Sequence, residues 1–115
     1  MGPIDITFHV EKMHAGEWVH VGAPTLARNY DAFDALGLAA QGEVIAEPRD
    51  IPVDATPKTT AAFDLAKMPM APSWLTLTEL LPHRDRLGRV FRDALAVMAV
   101  SGPPEDVRAV FWFTV

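Results

Sequence analysis

The amino-acid sequence predicts an α+β fold: a small antiparallel sheet, made of an N-terminal hairpin and a C-terminal strand, packed with about three helices on one face. Three observations predict it. Ile4 to Met13 and Glu17 to Val21 alternate apolar and polar residues around Ala15-Gly16, as two strands joined by a tight turn do. Leu87, Val90, Phe91, Ala94, Leu95 and Met98 recur at intervals of three and four, the spacing of one helix face. Val107 to Val115 is almost wholly β-branched or aromatic, the composition of an interior strand covered on both faces.

In the hairpin, a turn at Ala15-Gly16 sets Val10 opposite Val21 and Glu11 opposite His20. Phe8, Val10, Val19 and Val21 then share a core face, and His9, Glu11, Met13, Trp18 and His20 the other. A short helix follows over 30–36, extending as far as Ala40, with Asn29 as its cap, Asp31 in its first turn and Gly37 just past its end. From Gln41 to Asp54 there is no periodicity and prolines stand at 48 and 52, so this stretch reads as an ordered loop or edge strand. Thr56-Pro57 starts a second helix, with Thr as cap and Pro at the first helical position, ending before Pro69. Ser73-Trp74-Leu75 is extended, and Thr76-Leu77-Thr78-Glu79 is a capping box opening a short helix over 77–81. A long helix follows Pro82 and stops at Ser101-Gly102-Pro103-Pro104.

The final strand presents Phe111 and Phe113 to one side and Val110 and Trp112 to the other. The second side needs a cover, supplied either by the 41–56 loop or by another chain. The latter makes a homodimer through an open sheet face an expectation to test.

The chain reads as one globular domain, 1–115. Half of it is hydrophobic, and a chain of this length buries roughly 65% of its unfolded surface, enough for a core without disulfides or a structural metal. A net charge of -5 argues against a surface built to grip nucleic acid or an acidic membrane, so no direct DNA binding is expected. Without cysteine there is no disulfide framework, no thiolate nucleophile and no Cys-type zinc site. The longest unbroken apolar run, Ala94 to Val100, is about a third of a membrane span. The alternating N-terminus is unlike a signal peptide, and Pro3 and Ile6 break a myristoylation motif, so the cytoplasm is the expected location.

Little of the chemistry points to catalysis, and the expectation is that the protein is not an enzyme. The two serines, Ser73 and Ser101, lie in no nucleophile elbow and no Ser-x-x-Lys motif. His9, His14, His20 and His83 include no pair at helical metal-ligand spacing, the glycines form no phosphate loop, and neither metal nor cofactor is expected. Charge is unevenly spread: residues 1–60 hold nine acidic and four basic side chains, and 61–115 six of each. Glu11, Glu17, Asp31 and Asp34 in the acidic half are therefore the candidate partner-binding surface. In the second half, Arg86, Arg89 and Arg92 repeat along one helix side with Arg84 just before them. Asp85 and Asp93, four residues either side of Arg89, are placed to pair with it. An alternative reading of the same stripe is a contact surface for phosphates or an acidic partner.

A second polar set lies at element junctions, where loops carry function. Arg28, Asn29, Tyr30, Arg49, Asp54, Ser73 and Trp74 combine two guanidiniums for a phosphate, two aromatics for a planar base and a carboxylate for hydroxyls, which suits a nucleotide-like ligand. The alternative is structural: Asn29 a cap, Arg49 paired with Asp54, and Trp74 in the core.

These junction residues also carry a family resemblance. Arg28-Asn29-Tyr30-x-x-Phe33, Pro48-Arg49-x-x-Pro52-x-Asp54-x-Thr56, Ser73-Trp74-Leu75-Thr76-Leu77-x-Glu79-Leu80 and Val110-Phe111-Trp112-Phe113 resemble, in order, blocks of a family of small proteins encoded by phages and prophages. Members commonly carry His and Ser before the Ser-Trp pair, where this chain has Pro69-Met70-Ala71-Pro72, and Asp-Asn after the final aromatics, where it has Thr114-Val115. The resemblance implies a phage accessory protein that works by binding. By analogy of size and source, it suggests an inhibitor of a host defence system, such as an anti-CRISPR protein that occludes a host protein or ribonucleoprotein complex.

Overall fold

The computed structural model describes residues 2–39 and 43–115 and has the expected α+β architecture. Four antiparallel strands, β1 (Asp5–His14), β2 (Glu17–Gly22), β3 (Met70–Thr76) and β4 (Val107–Thr114), lie in the order β2-β1-β4-β3. The helices are α1 (Tyr30–Ala35), α2 (Pro57–Leu65), α3 (Leu77–Leu80), α4 (Arg84–Leu87) and α5 (Arg92–Ser101), with short 3-10 turns at Leu81–His83, Arg89–Phe91 and Pro104–Asp106. The last strand to be made is thus an inner one, between the first strand and the third. Its burial on both faces follows from that place: Val107 through Phe113 are all buried.

The first face of the sheet carries the main core. Phe8 stacks on Phe111 with centroids 6.1 Å apart and meets Phe91 edge-on at 5.8 Å, and Phe33 lies 5.1 Å from Phe113. Leu77, Leu80, Leu87, Ala94, Leu95 and Met98 close this layer from α3, α4 and α5. Each fully buried large side chain contributes about 1.5–3 kcal/mol of transfer free energy, so this layer dominates stability. Local chemistry fixes the ends of the elements. Asn29 Oδ1 accepts from Ala32 N to cap α1, and Thr56 Oγ1 accepts from Thr59 N to cap α2. At α3 the capping box is complete: Thr76 Oγ1 accepts from Glu79 N, and Glu79 Oε1 accepts from Thr76 N.

The hairpin turns at Ala15-Gly16, and Glu11 faces His20 as expected, but Val10 faces Gly22. The register shifts between Val10 and Glu11, leaving Val21 as a bulged residue. Val19, expected in the core, is 39% exposed, on β2 at the edge of the sheet. The first helix stops at Ala35, with Leu36 as its last cap, and residues 37–39 are turn and bend, so the suggested extension does not form; Ala40 itself and the loop positions Gln41 and Gly42 lie outside the described residues. Residues 43–54 contain no strand. The Ser73-Trp74-Leu75 segment is more than extended, since it joins the sheet as the edge strand β3.

The second face of the sheet is covered within the chain, by α2. Phe63 packs edge-on against Trp112 at 5.1 Å, and Trp112 is 1% exposed. The cover was expected from the 41–56 loop or from a second chain. The helix takes that place because its side chains can satisfy the polar groups of this face as well as its apolar ones.

The helix expected after Pro82 is interrupted. Gly88 has φ 74° and ψ −169°, a conformation essentially reserved for glycine, and the chain re-enters helix only at Arg92. The apolar spacing of three and four survives the break, since Leu87, Phe91, Ala94, Leu95 and Met98 are all buried.

Candidate functional site

The break at Gly88 shapes the arginine-rich surface. With α4 and α5 offset, Leu81, Arg84, Asp85, Gly88, Arg89, Arg92, Leu95, Ala96 and Ala99 line a groove of about 530 Å³. Its charged lining is three guanidiniums and the Asp85 carboxylate, and Leu81, Leu95, Ala96 and Ala99 supply its apolar part. Among the described residues, no carboxylate forms an ion pair with Arg84, Arg89 or Arg92. The expected pairs of Arg89 with Asp85 and Asp93 do not form. They require one continuous helix, and Arg89 sits instead in the 3-10 turn between two short ones. Arg86, expected on the same stripe, is directed elsewhere and donates to the Glu43 carbonyl oxygen.

Beyond this rim, α5 is apolar on every side. From Ala94 to Val100 it contains no polar residue, yet only Ala94, Leu95 and Met98 are buried. Ala96, Val97, Ala99 and Val100 face outward, with Val97 41% and Val100 87% exposed. An apolar helix face with arginines at its N-terminal end can bind a partner that brings carboxylates or phosphates together with apolar side chains.

The acidic surface expected from Glu11, Glu17, Asp31 and Asp34 is not assembled as one patch. Glu11 is fully buried and so cannot be a surface contact. Its Oε2 accepts from Thr56 N and Thr59 Oγ1, each at 2.8 Å, and its Oε1 accepts from Arg108 Nε at 2.8 Å. Burial pushes this carboxyl up, but hydrogen bonds from Thr56, Thr59 and Arg108 outweigh it, and the net position is below the ordinary value. Glu17 is exposed at the start of β2, Asp31 is exposed in the first turn of α1, and Asp34 is half-buried on the same helix.

The junction residues divide among separate clusters, each with partners inside the chain. Arg28 pairs with Asp5, Nε to Oδ1 at 2.8 Å, and the Tyr30 hydroxyl accepts from Ile4 N at 3.3 Å while its ring meets Phe33. Asn29 caps α1 and reaches the Leu87 carbonyl at 3.5 Å. On the far edge of the sheet, Arg49 lies 4.7 Å from the centroid of the Trp74 ring and bridges to both oxygens of Glu79, and Arg49 N donates to Ser73 Oγ at 3.0 Å. Hydrogen bonds from Arg49 hold the Glu79 carboxyl down to about 2. Asp54 belongs to a third cluster, accepting from Arg108 Nη1 at 2.9 Å. The structural expectation for Arg49 is therefore right in kind and wrong in partner: it pairs with Glu79, and Asp54 with Arg108. No hydrogen bond or ion pair joins the Arg28 and Arg49 groups among the described residues.

Arg108 was not singled out among the sequence-predicted sites. The available signal was a lone charge inside an otherwise apolar strand, because a guanidinium on a strand covered on both faces requires a buried carboxylate. Its plane also lies over Trp18, 3.8 Å from the ring centroid. Beside this network His9 Nδ1 and His20 Nε2 are 2.9 Å apart, and His9 stacks on Trp112. Burial holds both imidazoles below the ordinary value of 6.5, and Lys58 adds to the effect. Glu11 lies on the sheet face of these histidines, opposite His20 as expected, while its carboxylate is engaged by Arg108, Thr56 and Thr59.

The chain stands apart in all three comparisons with known proteins: no family model, curated sequence or solved structure matches it.

Proposed function

We propose that this chain is a non-enzymatic binding protein that occupies an acidic surface of a larger host complex through its arginine groove. The observation that carries this reading is the set Arg84, Arg89 and Arg92, free of carboxylate partners among the described residues and set beside an uncovered apolar helix face. Guanidiniums seldom stand together unpaired without self-repulsion, and a carboxylate-bearing partner relieves it. Buried Glu11 and the dispersed Glu17, Asp31 and Asp34 favour the arginine side over the acidic one as the contact surface. The resemblance to small phage and prophage proteins supplies the class of partner: a protein or ribonucleoprotein complex of a host defence system, with the CRISPR effectors as first candidates.

The test is phage plating on hosts that each carry one defined defence system, with and without expression of the protein, followed by co-purification with the effector whose defence is lifted. Arg84→Glu/Arg89→Glu/Arg92→Glu should abolish both relief and co-purification, whereas Glu17→Lys/Asp31→Lys/Asp34→Lys should leave them intact. The opposite pattern would move the contact to the acidic side. Relief of no system would remove the inhibitor reading.

A further inference from the structure

Resting on the arginine groove as the contact surface, we infer that its occupant is an acidic amphipathic helix of a partner protein, laid along α5. Two features of the site define the ligand together. Arg84, Arg89 and Arg92 rim one end, and Ala96, Val97, Ala99 and Val100 continue the surface as an uncharged strip toward the other. A nucleic-acid backbone would use the guanidiniums but leaves the apolar strip unused, since its phosphates recur along its whole length. A partner helix fits both halves, with carboxylates in the turns that meet the arginines and apolar residues at spacings of three and four beyond them. The small side chains Ala96 and Ala99 let a second helix axis approach closely, and the groove above Leu81 and Leu95 receives one large apolar anchor.

A second copy of this chain fits less well. In a two-fold contact the same patch meets itself, so the arginine cluster of each copy faces a second cluster whose three guanidiniums outnumber its two carboxylates, Asp85 and Asp93. Charge complementarity therefore selects a partner that is acidic where this surface is basic.

The experiment uses the full chain and three defined probes: a fluorescent helical peptide with glutamates on one face of its first turns and leucines at helical spacing after them, a peptide of the same composition in scrambled order, and a short DNA duplex. Fluorescence anisotropy should show saturable binding of the helical peptide, weakened by salt, and at least about tenfold weaker binding of both other probes. Arg89→Glu/Arg92→Glu and, separately, Val100→Glu should each weaken peptide binding by about tenfold or more. Val100 is 87% exposed, so its substitution leaves the core untouched, and an unchanged Tm confirms it. Equal binding of the scrambled peptide, preference for the duplex, or no binding of the helical peptide would each overturn the assignment. So would a dimer in sedimentation that Val100→Glu dissolves, which would make a second copy the occupant. These failures are distinguishable from failure of the broader reading: if arginine reversal still abolishes effector co-purification while the peptide fails to bind, the groove stands and only its occupant is wrong.

Discussion

Arg108 and Glu11 face each other across β4 and β1 and are joined by a guanidinium–carboxylate bridge, Nη2 to Oε1 at 2.8 Å, with side chains 4% and 0% exposed. The bridge fixes more than a pair of strands. Glu11 also accepts from the first turn of α2, and Arg108 donates through Nη2 to the Asp54 carbonyl at 3.2 Å, so the segment entering α2 is held to the sheet by charge. Every buried side-chain polar atom among the described residues has a hydrogen-bond partner.

Breaking that pair from one side leaves an uncompensated buried charge. Glu11→Leu or Arg108→Met should each destabilise the fold by about 3–5 kcal/mol, whereas the double replacement Glu11→Leu/Arg108→Met should recover a large part of the loss. Urea denaturation of the four proteins in a double-mutant cycle measures it; additive costs would show that the two residues do not act as a unit.

His9 and His20 give the fold a pH dependence of known sign. Both are held below 6.5, so the unfolded chain binds their protons first. Their contribution is complete above pH 6.5 and is lost as pH falls through the folded-state values below it. The groups facing the pair include Lys58, which strengthens the effect, and Glu11, which opposes it. Thermal melts should show Tm falling below pH 6.5, and His9→Gln/His20→Gln should flatten that limb. A fall that persists in the double variant, starting only below pH 4.5, would belong instead to the carboxylates Glu11 and Glu79, both held below 4.5, with the contribution of Glu79 lost as pH drops from 4.5 toward about 2.

Gly88→Ala tests the origin of the groove. Its backbone conformation costs any other residue of order 1–3 kcal/mol, although the space for a Cβ is open, with Asn29 Nδ2 the nearest atom at 3.5 Å. The expected result is a loss of that size in chemical denaturation together with weakened partner binding, because a chain relieved toward continuous helix would let Arg89 pair with Asp85. Unchanged stability would show that the break is not fixed by the glycine.

Phe63→Ala uncovers the second face. Phe63 is only half-buried, so the expected cost is about 2–3 kcal/mol, under the value for a fully enclosed ring. Trp112 should then shift its emission to longer wavelength as water reaches it. A concentration-dependent dimer appearing in this variant alone would show what α2 prevents in the intact chain.

The sequence by itself determined the elements and most of their ends. Alternation around Ala15-Gly16, caps at Asn29, Thr56 and Thr76, and the apolar composition of Val107 to Val115 are local, and local chemistry decides such features. The core face of the last helices was legible for the same reason, since a period of three and four survives a single interruption. What tertiary structure alone decided is where the polar residues end up. Glu11 looks in sequence like one more residue of a solvated strand face, and only the packing of α2 and the insertion of β4 beside β1 bury it against Arg108. The junction residues likewise share a composition that suits a ligand, but each finds its partner at long range: Arg49 at Glu79, Asp54 at Arg108, Arg28 at Asp5. The arginine groove follows the same logic in reverse. The spacing of Arg89, Asp85 and Asp93 satisfies a straight helix, and one glycine at φ 74° removes the straight helix and leaves Arg89 without either carboxylate among the described residues. Ion pairing depends on distances between atoms far apart in the chain, and those distances exist only once the sheet order and the helix offsets are set.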